Sequence, residues 1–214
     1  MPQITGEIGL SAADLPAPST LCKAFDRIEM SVCRVLLRHS AQLHDPSEHA
    51  ALDATFYDRD RASRHYCHRT NYRVQTLKVT KLVDTKTQAI LDLHCSTTLE
   101  GSDADLCEQI ARQNAGDLQT LAADKGYDKN AVRKRLRNLG IRPLIKHRIF
   151  APYDHAHNAR IEQDRYAQRS MTETVNSAVK RSLGCAVRAR TWYREFRELA
   201  LMCVVYNIKR AVKR

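Results

Sequence analysis

The stretch Leu118-Gln119-Thr120-Leu121-Ala122-Ala123-Asp124-Lys125-Gly126 decides what kind of fold this chain adopts. Read as a helix, with Gly126 in the turn and the basic run 130–136 as a second helix, it opens a helix-turn-helix regulator. Read as a strand that ends on an acid, it belongs to a sheet. The sequence upstream selects the strand. Residues 50–57 are β-branched or aromatic toward their end, 73–83 alternate in the manner of a strand, 84–87 supply turn residues, and 88–95 return. A small regulator has no need of such a hairpin.

Working outward, apolar residues recur at three to four from Ser19, predicting one helix over 19–43, after a loose arm at 1–18. Ser102 caps a predicted helix over 103–114, closed by Gly116. Asp128 caps another over 129–139, and Gly140 stops it. Residues 141–145 read as a short strand whose Pro143 suits an edge. A loop rich in Tyr, His and Asn over 147–158 precedes helices over 159–184 and 191–212. From residue 50 the order is strand, strand, strand, helix, strand, helix, strand, helix, helix. Such an order predicts an α/β fold, a mixed five-stranded sheet flanked by helices. The expected division is a helical segment over 1–48 and a larger domain over 49–214.

Charge gives the first functional clue. The 214 residues hold 35 Lys and Arg against 24 Asp and Glu, a balance of +11. Residues 1–129 carry −3 and residues 130–214 carry +14. A cationic excess of that density is the footprint of a surface for a polyanion, with nucleic acid the expected partner. The longest apolar run, 199–206, is far short of the roughly 20 residues of a membrane helix, so no membrane partner is expected. An acid at Glu7 and no long apolar stretch after it do not fit a signal peptide, and a cytoplasmic location is expected. Seven cysteines at irregular spacing, with no C-x-x-C, fit free thiols. His65, Cys67 and His68, followed by His94 and Cys95, lack the paired knuckles of a structural zinc site.

Carboxylates at strand ends need solvent, a partner or a metal. Asp53 lies inside the first apolar strand and Asp124 ends the fourth. If those strands are neighbours, the two acids meet and repel, and a divalent cation with oxygen ligands relieves the repulsion. Further along, Tyr166, Arg169, Glu173 and Lys180 fall within about a 60° arc of a single helix. Such a face is too polar for a core. Taken singly, each Asp also fits a turn, a salt bridge or a helix cap, and Arg169 with Glu173 fits an ordinary i,i+4 pair. His147, His155 and His157 read as solvent-facing, and Trp192 as core.

These residues together, Asp53, Asp124 in Ala123-Asp124-Lys125-Gly126-Tyr127, and Tyr166-x2-Arg169-x3-Glu173-x6-Lys180, resemble the DDE transposases of prokaryotic insertion sequences that carry the Y-R-E-K signature. The resemblance covers residues 50 to about 185. It implies an RNase H-like catalytic domain with Asp53, Asp124 and Glu173 as catalytic metal ligands for two Mg2+ ions, for which Mn2+ can substitute. It also implies that Tyr166, Arg169 and Lys180 contact DNA. The implied reaction is cleavage and strand transfer on double-stranded DNA, at terminal repeats and a target, by a homodimer in the cytoplasm at the nucleoid. The segment 1–48, with one expected helix, is then the remnant of an end-binding region. The interval from Asp124 to Glu173 predicts an uninterrupted core. Two other readings stand beside this one: a helix-turn-helix regulator without catalysis, and a generic RNase H-like nuclease that shares the acids but not the Tyr166, Arg169, Lys180 set.

Overall fold

The computed structural model describes residues 14–59, 68–71, 76–96 and 103–213. Most of the arm at 1–18, the cap at Ser102, the first residues of the strand expected over 73–83, and His65 and Cys67 lie outside them.

Two helices, α1 (Pro18–Arg27) and α2 (Met30–Gln42), precede the hairpin strands β1 (His49–Asp58), β2 (Thr76–Asp84) and β3 (Ile90–Ser96). Then come α3 (Asp103–Gln113), β4 (Thr120–Ala123), a 3-10 turn at Lys125–Tyr127, α4 (Asn130–Asn138) and β5 (Arg142–Ile145). The chain finishes with α5 (Pro152–Arg160), α6 (Gln163–Ala167), α7 (Ser170–Leu183) and α8 (Trp192–Val212). The strand at Thr120–Ala123 removes the first helix that the helix-turn-helix reading requires.

The strands form one sheet in the order β3-β2-β1-β4-β5. β1, β2 and β3 are antiparallel, whereas β4 runs parallel to both β1 and β5. This is the expected α/β architecture, a mixed five-stranded sheet flanked by helices. Strand alternation sends successive side chains to opposite faces. On one face Leu52, Leu82, Leu121 and Ala123 pack with Cys107 and Ile110 of α3 and Val132 and Leu136 of α4. On the other, Tyr57, Val79, Val83 and Leu93 pack under Val175 and Val179 of α7 and Phe196, Leu199 and Cys203 of α8. Cys33 and Leu37 of α2 join that second core, so the helix ahead of β1 is built into it.

Several local expectations are corrected. The helix expected over 19–43 breaks where Ile28 and Glu29 take extended backbone, which brings Asp26 to a two-pronged pairing with Arg194. Lys129, not Asp128, occupies the cap of α4, because Asp128 is spent on Arg133, 2.6 Å away. The loop expected over 147–158 contains α5, started by Pro152 in its first turn, where a missing N–H costs nothing. The helix expected over 159–184 breaks at Ile161, whose extended backbone lets its side chain pack with Ala51, Ala122 and Leu144.

Candidate active site

The register of β1 against β4 ends at Leu52 opposite Ala123. Asp53 and Asp124 are therefore the next residues on two adjacent parallel strands. Ala51 and Ala122, two positions earlier on each strand, pack together with Ile161 and Tyr166. By strand periodicity both aspartates turn to that same face, the face covered by α7.

Their surroundings differ. Burial pushes the Asp53 carboxyl above its ordinary range, and the like charges of Asp124 and Glu173 push it further, against the pull of the Ala54 N–H that it accepts and of Arg169. Asp124 accepts the backbone N–H of Gly126 at 2.6 Å and so caps the 3-10 turn as well as standing in the acid cluster. The cap role and the cluster role are compatible, since one carboxylate has lone pairs for both. A side chain at Gly126 would meet the Asp124 carboxylate oxygen at 2.7 Å, so glycine lets this turn close. Glu173 sits in the first turn of α7 with a side chain 60% exposed, reaching Arg169 at 3.4 Å.

The four signature residues do not share one helix, contrary to expectation. Tyr166 is in α6 and Arg169 caps α7, although the Arg169 N–H still donates to the Tyr166 carbonyl at 3.1 Å. The Tyr166 ring carries the Lys146 ammonium 4.5 Å from its centroid and the Arg169 guanidinium at 5.8 Å. Burial raises the Tyr166 hydroxyl, with Asp124 among the charges acting on it. Tyr166, Arg169, Asp53, Asp124 and Glu173 thus share one electrostatic neighbourhood. Lys180 stands further along α7. Its ammonium donates to Thr55 Oγ1 at 2.7 Å and lies 5.1 Å from the Tyr57 ring centroid.

Oxygen-only carboxylate donors suit a hard divalent cation in kind. Asp53 has no ion pair with a described cation, and its carboxyl is raised by burial first and by Asp124 and Glu173 after it. The three side chains do not close around a common point: among the described residues, no group of three His, Cys, Asp or Glu side chains is gathered tightly enough to hold an ion.

Three residues escaped the sequence reading. Thr55 and Tyr57 follow Asp53 on the same strand face, and Lys81 of β2 is fully buried across from Asp53. The available signal was the spacing Asp53-x-Thr55-x-Tyr57 together with a lysine inside an apolar strand. Two of the three histidines are also corrected: His147 and His157 stack with centroids 3.7 Å apart, and His147 Nδ1 lies 2.8 Å from the buried Asp154, whereas His155 is exposed as expected. Trp192 is half-buried, edge-on to Tyr193, rather than core. The cysteines among the described residues are free thiols, as expected.

A family model described as a transposase DDE domain matches residues 44–208. No curated protein matches the chain. Among solved structures it is similar to a chain of the pre-cleavage Mos1 transpososome, at 13% identity and a TM-score of 0.32, covering 86% of this chain and 60% of that one.

Proposed function

The chain belongs to the transposase DDE-domain family, and from that premise we propose that it cuts DNA at the ends of an insertion sequence and joins the cut end to a target. The observation that carries this reading is the β1–β4 register, which sets Asp53 and Asp124 side by side beneath the helix that bears Glu173. In the proposal these three carboxylates hold the divalent cations. Two bound Mg2+ ions, or Mn2+ in their place, would supply a more acidic attacking oxygen and neutralise charge on the departing one.

The chain's own residues carry the rest. Asp53, half-buried and pressed by two like charges, would gain from a cation, because a bound cation favours its ionised form. Gly126 fixes the Asp124 carboxylate from behind, leaving its remaining lone pairs toward the cluster. Arg169 holds Glu173 within reach and presents its guanidinium beside Tyr166, where a backbone phosphate can be gripped. Lys180, seated on Thr55 and Tyr57, offers a second cation along the same strand face. Tyr166 would orient a phosphate through its hydroxyl or stack on an unpaired base.

The proposed substrates are double-stranded terminal repeats and a target duplex, handled by a homodimer at the nucleoid. The proposed division keeps 49–214 as the catalytic domain and 1–48 as an end-binding segment whose α2 also serves the core. The test is a Mg2+- or Mn2+-dependent cleavage and joining assay on the flanking repeats with wild type, Asp53→Asn and Glu173→Gln. Loss of both activities in each variant is expected, and cleavage surviving either substitution overturns the assignment. Cleavage without joining would favour a plain nuclease.

A further inference from the structure

A third side chain falls into line with the two aspartates. β4 pairs with β5 in parallel up to Ala123 opposite Ile145, so Lys146 stands beside Asp124 as Asp124 stands beside Asp53. Leu144, two positions earlier, packs with Ala51, Ala122 and Ile161, and strand alternation therefore turns Lys146 to the face of the acids. With neighbouring strands about 4.8 Å apart, Asp53, Asp124 and Lys146 form a row roughly 10 Å long across β1, β4 and β5.

Among the described residues Lys146 forms no ion pair. Its ammonium donates to Gln163 Oε1 at 2.7 Å and lies 4.5 Å from the Tyr166 ring centroid. This seat is itself held in place. The Gln163 amide nitrogen donates to the Asn158 carbonyl at 2.7 Å and to the Ile161 carbonyl at 2.9 Å, which aims the amide oxygen at the lysine. The extended backbone at Ile161 also starts α6, the helix that carries Tyr166. One neutral oxygen and one ring face fix the charge without cancelling it, and an ammonium with three donors has others left for an anion.

Lys180 is held in the same manner on the other flank, by Thr55 Oγ1 and the Tyr57 ring of β1. The two ammoniums are thus anchored at β1 and at β5, two strand spacings or roughly 10 Å apart, with β4 and Asp124 between them. One phosphate does not bridge such a separation with hydrogen bonds of ordinary length. A DNA strand drawn across the three strand ends, with one phosphate at the acids, offers a neighbouring phosphate to each flank.

We infer that Lys146 is a further phosphate-binding residue of the site, gripping the cut strand on the Asp124 flank while Lys180 grips it on the Asp53 flank. The inference rests on the transposase reading above, and its test separates the two. The full chain is titrated with a terminal-repeat duplex in which single phosphates of the cut strand, on both sides of the cleavage point, are replaced in turn by neutral methylphosphonates. Wild type is compared with Lys146→Met, Lys146→Arg and Lys180→Ala. Neutralising one phosphate should weaken wild type about tenfold and leave Lys146→Met unaffected, since that variant has already lost the contact. Lys146→Arg keeps the charge and should keep the response. Lys180→Ala should be blind to a different phosphate, across the cleavage point. A structural role for Lys146 would weaken binding of every duplex alike. An equal loss at all positions in Lys146→Met, a wild-type response at all of them, or a single phosphate answering to both lysines overturns the inference alone. Wild type that neither binds nor cuts the unmodified duplex overturns the transposase reading, and the inference falls with it.

Discussion

Lys81 stands directly across the β1–β2 ladder from Asp53, yet its ammonium turns away to donate to the Tyr57 hydroxyl at 3.0 Å. The side chain is fully buried, its Nζ lies 5.1 Å from the Tyr57 ring centroid, and no carboxylate pairs with it among the described residues. A second ammonium, that of Lys180, sits at the same distance from the same ring. Tyr57 is thus a post that holds two cations behind the acid cluster. The cost of this arrangement falls on the fold, since a buried ammonium without an anion forfeits hydration that one hydroxyl and a ring face only partly replace.

The first prediction concerns that cost. Lys81→Met keeps the volume and removes the charge, so unfolding should become harder by about 1–2 kcal/mol at neutral pH. Burial lowers the Lys81 ammonium from its ordinary 10.5. Between the native value and 10.5 the unfolded chain binds the proton more readily, so wild-type stability rises with pH through that window. The advantage of the variant must shrink toward pH 10. Denaturant melts at pH 7 and pH 10 measure this, and an advantage that grows with pH contradicts it.

A second prediction follows from Asp53. Burial and the charges of Asp124 and Glu173 raise its carboxyl above 3.8. A carboxyl raised in the folded state favours folding below its unfolded value, and that contribution is lost as pH rises through the native value. Asp53→Asn should therefore melt higher than wild type at pH 7 in EDTA, with the difference closing near pH 3. Adding Mg2+ at about a hundred times its dissociation constant should stabilise wild type by about 2.7 kcal/mol and the variant much less. Equal Mg2+ responses would remove Asp53 from the ligand set.

Much of this was legible in residue order, and the exceptions have physical causes. β1 and β4 could be read because an acid inside one apolar strand, Asp53, and an acid just after another, Asp124, leave a plain pattern. The hairpin turn could be read from 84–87, where Asp84 accepts the N–H groups of Lys86 and Thr87. The breaks at Ile28 and Ile161 could not, since neither Gly nor Pro marks them. At Ile161 tertiary burial against Ala51, Ala122 and Leu144 outweighs local helical preference. The start of α5 was written in Pro152 and Asp154, but a run of Tyr, His and Asn obscured it. For Lys81, strand parity gave the face, whereas its burial depends on α8, more than a hundred residues away in the chain.

The third prediction concerns the segment after β5. The Asp154 carboxylate accepts the N–H groups of Phe150 and Ala151, both at 2.9 Å, and faces His147 Nδ1 at 2.8 Å. These hydrogen bonds hold it down to about 2, below the usual carboxylate range. A lowered carboxyl lends stability above its unfolded value of 3.8 and loses it as pH falls through the native value. Asp154→Ala should raise amide exchange at Phe150 and Ala151 at least tenfold at pH 7. Wild type should approach that rate only as pH drops from about 4 toward 2. Equal protection of those two amides in the variant would show that Asp154 does not anchor them.

Lys180 carries the last prediction. Thr55 Oγ1 and the Tyr57 ring fix its ammonium one to two in-facing positions along β1 from Asp53, so the site of a gripped phosphate is set by strand spacing rather than by a flexible side chain. Lys180→Ala should weaken binding of a cut end by about tenfold in dilute salt and by about threefold near 0.2 M, because counterions screen part of a phosphate contact. Thr55→Val keeps the charge and removes the seat. It should slow joining more than it weakens binding, whereas Thr55→Ser, which restores the hydroxyl, should recover the wild-type rate. Anisotropy titrations at both salts and joining time courses supply the measurements, and a Thr55→Val enzyme that joins at the wild-type rate would leave Lys180 without a positioning partner.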